Sequence, residues 1–559
     1  MTAIDTDVRD SPVSDEAPNK LASDPSPRRR SGRSKSGAPW LLVAVGTVLA
    51  MAFAFPAAYL VWRNYTEQAD PFELLFSDRT LAPLWRTIEL AVLVSATATI
   101  MGSGLAWVTT RTDVPGRRFW QVVLPLPLVI PTFIGAAAFL RTVNPGGLAG
   151  DFVARFGIDE TIRLQGLFGA WLVLSMFTYP YVYLPVSARL RQLPGSLEES
   201  ARVLGDSAFV AFRRVVLPQI SSAIGAGALL VFLYTISDFG AVQLMRFDTL
   251  TRAIFTNKLN FGVALALAQL LLVLAAVVVL AERWFSSRTH GFDRTRQSQV
   301  VIYRLGRHRW PVFGLVALAV VASVGAPMVA LVDWAVSGLS RVADGGRLTI
   351  DAAGVATATW HTFFVSSLAA IAAVAAVLPV ALLVGRFKAK GAGVAHALVI
   401  SSFAVPGLLI ALALQFWTFR SGPGLWFKDT TALLVFAYIV RFGALAMGVT
   451  LVAIRSVPAQ LHDAAATLGA AATRRFRTID VPIMTPALLA GAGLVLLSTM
   501  KELPISFLIS PIGFSTLATE MFKSFEDAFV AEAGIMAVVL VSLSSVLSWF
   551  LVLRRADHL

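Results

Sequence analysis

Apolar runs of roughly 20 residues recur along almost the whole chain, and each is about the length a helix needs to cross the hydrocarbon of a bilayer. The first extends from Trp40 to Trp62. Others cover roughly 84–110, 119–141, 166–188, 218–245 and 261–283, then 311–333, 360–385, 393–418, 431–455, 482–509 and 529–553, about twelve in all. Only 14% of the residues are charged, against roughly 25% in soluble domains, and mean hydropathy is +0.70. A membrane β-barrel shows short alternating segments instead. The expected fold class is therefore an all-α polytopic membrane protein. With no cysteine, disulfides, thiolate metal sites and cysteine nucleophiles are excluded. The six histidines form no HExxH pair, and no metal or cofactor site is expected.

Charge sets the orientation. Lys and Arg concentrate in cytoplasmic loops of membrane proteins. Arg28, Arg29, Arg30, Arg33 and Lys35 stand just before the first run, which places the N-terminus in the cytoplasm. That run is longer than the roughly 7–15 residues of a signal-peptide core, so it reads as a retained span. Alternate loops then carry the cations: Arg111, Arg117 and Arg118; Arg189, Arg191, Arg213 and Arg214; Arg386, Lys388 and Lys390; Arg474, Arg475 and Arg477. Both termini are expected in the cytoplasm. The net charge of +13 is this same bias, and no nucleic-acid partner is expected. Residues 1–38, rich in Asp, Ser, Pro and Arg, read as a disordered cytoplasmic tail.

The chain repeats itself. Trp85, Thr87, Arg111 and Pro131 recur at one constant offset as Trp360, Thr362, Arg386 and Pro406. Downstream a shorter offset holds, the one between Pro194 and Pro458, so the first half carries an extra stretch, placed in the external loop near 142–163. Six spans per half make the two repeats parallel, related by an axis near the membrane normal. The expected organisation is a first half at 39–285, a basic cytoplasmic linker at 286–309 and a second half at 310–559.

One polar loop is repeated with its internal spacing intact. Glu199, Ala201, Gly205, Leu217 and Pro218 are matched by Asp463, Ala465, Gly469, Val481 and Pro482, every pair at the Pro194-to-Pro458 offset. Leu197, Ala201 and Leu204 fall on one helical stripe, as do Leu461, Ala465 and Leu468. Glu198 and Arg202 have the i, i+4 spacing of an ion pair. Gly205 is suited to the left-handed residue that ends a helix, and Pro218 to the first turn of the next span. A connector lying on lipid needs only an apolar face. A fixed Gly-to-Pro distance, kept twice, points to a surface that grips another molecule.

This loop resembles the Glu-Ala-Ala loop of permease subunits in binding-protein-dependent ABC importers, with Ser200, Val215, Asp463 and Val481 as departures from the pattern. The resemblance covers both halves. It implies two parallel six-helix repeats of the type I ABC importer permease fold, in a bacterial plasma (inner) membrane. It also implies that each loop forms a coupling helix docking on an ATP-hydrolysing subunit, an ATPase dimer on the cytoplasmic face, and an extracytoplasmic substrate-binding protein. No phosphate-binding GxxxxGK[ST] motif occurs here. ATP and Mg are accordingly expected on the partner ATPase, and this chain is not expected to be an enzyme.

Acids also fall near the spans. Asp238 precedes Phe239, Gly240, Ala241 and Val242, and its repeat counterpart is Glu502, within Lys501, Glu502, Leu503 and Pro504. Charges buried in a bilayer usually face protein or water. Asp238 lies twenty residues past Pro218, about 30 Å of helix, near the outer face. Asp238, Gly240, Lys501, Glu502 and Pro504 are thus candidates for an outer vestibule, and Pro131 and Pro406, which break the third and ninth runs, for a gate. These segments resemble ferric-iron importer permeases, which implies ferric iron as cargo; thiamine, phosphonate and polyamine permeases share much of the pattern. A major-facilitator-type secondary transporter, also with twelve spans and parallel halves, is one alternative, and a structural membrane protein without transport is another.

Overall fold

The computed structural model describes residues 38–67, 73, 75–143, 164–288, 301–343 and 351–549. Nearly all of the expected tail at 1–38, the extra stretch near 142–163 and half of the linker fall outside the described residues. Among the described residues ten helices are long and apolar enough to cross a bilayer, and two bent helix pairs bring the total to twelve. The first half contributes Trp40–Thr66, Asp78–Arg111, Gly166–Gln192, Ala208–Ser237 and Phe261–Ala281. The second contributes Gly306–Ser340, Ala352–Phe387, Thr431–Ser456, Ala472–Met500 and Val530–Ser548. The architecture is that of two six-span helical repeats. Among the described residues the one β-bridge joins Thr112 to Tyr303, tying the linker to the loop after the second span.

The third span of each half is the bent one. Arg117–Val129 meets Thr132–Val143 at 98°, and Ala392–Ser402 meets Gly407–Arg420 at 102°. Pro131 and Pro406 stand at the two corners. Proline lacks the N–H that would continue the helix and holds the residue before it extended, as Ile130 is, at φ −85° and ψ 120°.

The fifth span of each half differs from expectation at both ends. The helices stop at Ser237 and Met500, and the short helices Gly240–Leu244 and Pro504–Ile509 follow after a break. At the other end, Pro218 and Pro482 do not start the spans. Helix begins at Ala208 and Ala472 and passes through a π-turn, Phe212–Val216 and Phe476–Asp480, just before each proline. Leu217 N–H donates to the Phe212 carbonyl and Val481 N–H to that of Phe476. The extra residue in each turn makes room where a proline ring would crowd the carbonyl four residues back.

Close approach of small residues holds the spans together, as in other membrane bundles. A Cβ on Gly102 would lie 2.6 Å from the Tyr179 carbonyl oxygen, so the second span rests directly on the fourth. The halves also interleave. Phe53 of the first span is buried in the core of the second half, against Gly443. Ala330, Leu331 and Trp334 of the seventh span join the core dominated by the first half.

Candidate functional site

Each repeated loop opens with a nine-residue helix, Gly195–Val203 and Ala459–Thr467. Both end in the same way. Gly205 N–H donates to the Arg202 carbonyl (3.1 Å) and Asp206 N–H to that of Ala201 (3.1 Å). Gly469 N–H donates to Ala466 (3.0 Å) and Ala470 N–H to Ala465 (3.0 Å). This pair of bonds is the Schellman motif, which closes around a residue with positive φ. Gly205 has φ +99° and Gly469 φ +76°. The spacing from Ala201 to Gly205, and from Ala465 to Gly469, is thus the geometry of one helix terminus made twice.

The apolar stripe of each loop helix faces outward. Leu204 is 87% exposed and Leu468 86%; Leu197 and Leu461 are also exposed, as are Glu199 and Asp463. Leu217, Pro218 and Pro482 are exposed too, along the start of the following helix. Large apolar side chains left open beside carboxylates suit a protein partner.

The opposite side of the first helix carries a correction. Glu198 does not pair with Arg202. It is buried and lies 3.5 Å from Arg111, itself buried at the end of the second span. Arg111 Nη2 also donates to the carbonyls of Leu190 (3.0 Å) and Leu193 (3.4 Å). Burial raises the Glu198 carboxyl above its ordinary range, and the Arg111 guanidinium opposes that rise. In the second half Arg386 donates to Asp480 (2.6 Å) and to His462 Nδ1 (3.1 Å), while His462 Nε2 lies 2.9 Å from the other Asp480 oxygen.

The second group of candidates converges, which their separate positions in the chain do not show. Asp238 is buried next to the corner at Pro131: it accepts the Thr132 hydroxyl at 2.6 Å and the N–H groups of Ala241 (3.0 Å) and Val242 (3.4 Å). Gly240 packs on the same corner, where a Cβ would stand 2.5 Å from Phe133 Cβ. Glu502 holds the equivalent place beside Pro406, with its Oε1 2.5 Å from where a Gly407 Cβ would be. It also accepts the Ile505 N–H (3.4 Å), in the helix that Pro504 begins. Each acid therefore braces a bent span against the break in a fifth span. Asp238 is thus a buried acid with three hydrogen-bond partners, set in a packed junction.

Two cations complete the junction. Lys501 Nζ donates to the Leu128 carbonyl at 2.9 Å, across the two halves. Arg441 Nη1 donates to the carbonyls of Phe403 and Val405, both at 2.7 Å. Leu128 and Phe403 are repeat counterparts, at the same offset as Pro131 and Pro406. Arg441 is absent from the sequence-derived candidates, although a cation in the middle of the apolar run 431–455 marks it. Its value is to satisfy carbonyls that the bend frees from helical bonding.

A profile described as a binding-protein-dependent transport system inner membrane component matches residues 98–291 and again 377–554. An Fe(3+)-transport system permease protein of Haemophilus influenzae is 27% identical over 516 residues, covering 91% of this chain and 97% of that protein. A sulfate transport system permease protein of Salmonella typhimurium is 27% identical over 252 residues, 43% of this chain and 90% of its own length. A probable ABC transporter permease protein of Sinorhizobium fredii is 24% identical over 465 residues, 78% of this chain and 80% of its own.

Proposed function

Because the chain belongs to the family of binding-protein-dependent transport system inner membrane components, we propose that it forms the whole membrane pathway of an ATP-driven ferric-iron importer. Its two loop helices receive an ATPase dimer on the cytoplasmic face, where both termini also lie. An extracytoplasmic binding protein delivers the cargo to the other face. ATP closes the ATPase pair, the loop helices move with it, and the halves rock between inward-open and outward-open states. The bent third spans and the broken fifth spans meet where such rocking opens or shuts a passage. The profile match to both halves favours this reading over a major-facilitator transporter, which gives the paired loops no task.

The observation that carries the proposal is the twin Schellman-capped helix with its leucine exposed. Support for iron is narrower: the Fe(3+) permease relative aligns with both halves, whereas the sulfate permease of Salmonella typhimurium aligns with less than half of this chain. Thiamine, phosphonate and polyamine remain the alternative cargoes in the same mechanism. The chain has no cysteine, so Ala201→Cys and Ala465→Cys give unique crosslinking sites. Capture of the ATPase at both is expected. Crosslinks to phospholipid alone, throughout the ATP cycle, overturn the reading. For the cargo, uptake of labelled ferric iron into proteoliposomes holding the complete importer is expected to require the iron-loaded binding protein. Uptake of thiamine or phosphonate instead reassigns the cargo and leaves the mechanism standing.

A further inference from the structure

The two loop helices are anchored by cations in the same place but with different chemistry. Arg111 and Arg386 are repeat counterparts. By the offset that relates Gly205 to Gly469, the position of Glu198 is taken in the second half by His462, and that of Val216 by Asp480. The carboxylate has left the loop helix and moved into the π-turn. The cation nevertheless still touches the loop helix, because arginine only donates and His462 Nδ1 therefore accepts from Arg386. His462 Nε2 then carries the proton and donates it to Asp480. One contact, from the end of the second span of a half to the fourth residue of its loop helix, is thus made twice by different residues. The first-half pair is buried, which is weak support for stability in itself, and Arg386 is partly exposed, so keeping the contact through this exchange points to what it connects.

It connects the loop to a long, stiff helix. From Arg111 back to Thr87 is about 36 Å at 1.5 Å per residue. There Thr87 Oγ1 accepts the Leu250 N–H at 2.8 Å, and the neighbouring Thr251 hydroxyl donates to the Asp238 carbonyl at 2.6 Å. In the second half Thr362, the counterpart of Thr87 on the span that ends at Arg386, accepts the Leu517 N–H at 2.8 Å.

We infer that Arg111 and Arg386 are positioning residues that lock each loop helix to the second span of its half, making that span the rod through which loop motion reaches the fifth-span junction. This rests on the proposed docking of an ATPase on the loops. The test uses the complete importer in proteoliposomes and reads three quantities: ATPase retained on the purified complex, ATP hydrolysis, and uptake per ATP hydrolysed. In R111M the ATPase should stay bound and hydrolysis should continue, while uptake per ATP falls by about tenfold, within the usual span of coupling energies. Glu198→His alone, with no carboxylate to hold the ring with Nδ1 toward Arg111 or to answer the arginine's charge, should behave like R111M. Glu198→His with Val216→Asp, which installs the second-half arrangement in the first, should restore coupling to near the wild-type ratio. A wild-type ratio in R111M overturns the inference, as does a double variant no better than Glu198→His. Loss of the ATPase from R111M also overturns it, since Arg111 would then only shape the docking surface. Should R111M fail to insert, Glu198→Gln, nearly isosteric, carries the same test, and an unchanged ratio there is equally fatal. A wild-type chain that binds no ATPase refutes the proposed function instead.

Discussion

Replacing Gly205 or Gly469 should grade transport by how well the new residue tolerates a left-handed backbone. At φ +99° and +76° both lie in the region that side chains avoid. A Cβ at either would meet nothing within 4 Å, so alanine brings no clash and its effect is purely conformational, about 1–2 kcal/mol. That changes the population of the capped helix by about 5–30-fold. Asparagine enters this region more readily and should cost less. Proline holds φ at about −65°, on the wrong side of zero for this motif. It also deletes the N–H that bonds Arg202 or Ala466, so the motif cannot close. The two bonds lost add about 0.5–1.5 kcal/mol each. The expected order of uptake is Gly, then Asn, Ala and Pro, in both loops, with every variant still inserted as judged by gel filtration in detergent. Wild-type uptake by both proline variants, or alanine worse than proline, would refute the reasoning.

Lys501→Met should strand the Leu128 carbonyl at the first corner, about 1–3 kcal/mol for a buried group left unpaired; uptake and thermal stability should fall while the ATPase stays bound, and an unchanged melting temperature counts against the contact. Asp238→Ala should depress uptake more than ATPase binding, because it releases the Thr132 hydroxyl and two backbone N–H groups at the junction; equal loss of both rules out a role specific to the pathway. Gly102→Ala should lower the melting temperature in detergent, since its Cβ would press on the Tyr179 carbonyl at 2.6 Å and overpacking costs about 1–3 kcal/mol; no change would mean that the second and fourth spans are free to part.

The spans are legible in the sequence because hydropathy and length act locally, and all twelve runs have a helix or a bent pair in the structure. The loops are legible because a helix terminus is a local device, and Gly205 and Gly469 fall where one is needed. What depends on distant partners is not. The spacing of Glu198 and Arg202 suggests a pair, yet Glu198 meets Arg111, 87 residues away, since one face of the loop helix is pressed against the second span. Pro131 and Pro406 mark the corners but not the cations that satisfy the freed carbonyls there, Lys501 reaching Leu128 from 373 residues away and Arg441 reaching Phe403 and Val405. His462 and Asp480 look ordinary until the repeat sets them beside Glu198 and Val216.

Both cations at the corners, Lys501 and Arg441, come from the second half; their counterparts in the first are Ser237 and Phe177. The halves are therefore unlike partners despite their common plan. An assembly of two first halves would leave the freed carbonyls of both bends without a donor. Covalent fusion removes that hazard: every molecule made contains one of each, and neither can be inserted into the bilayer in excess of the other.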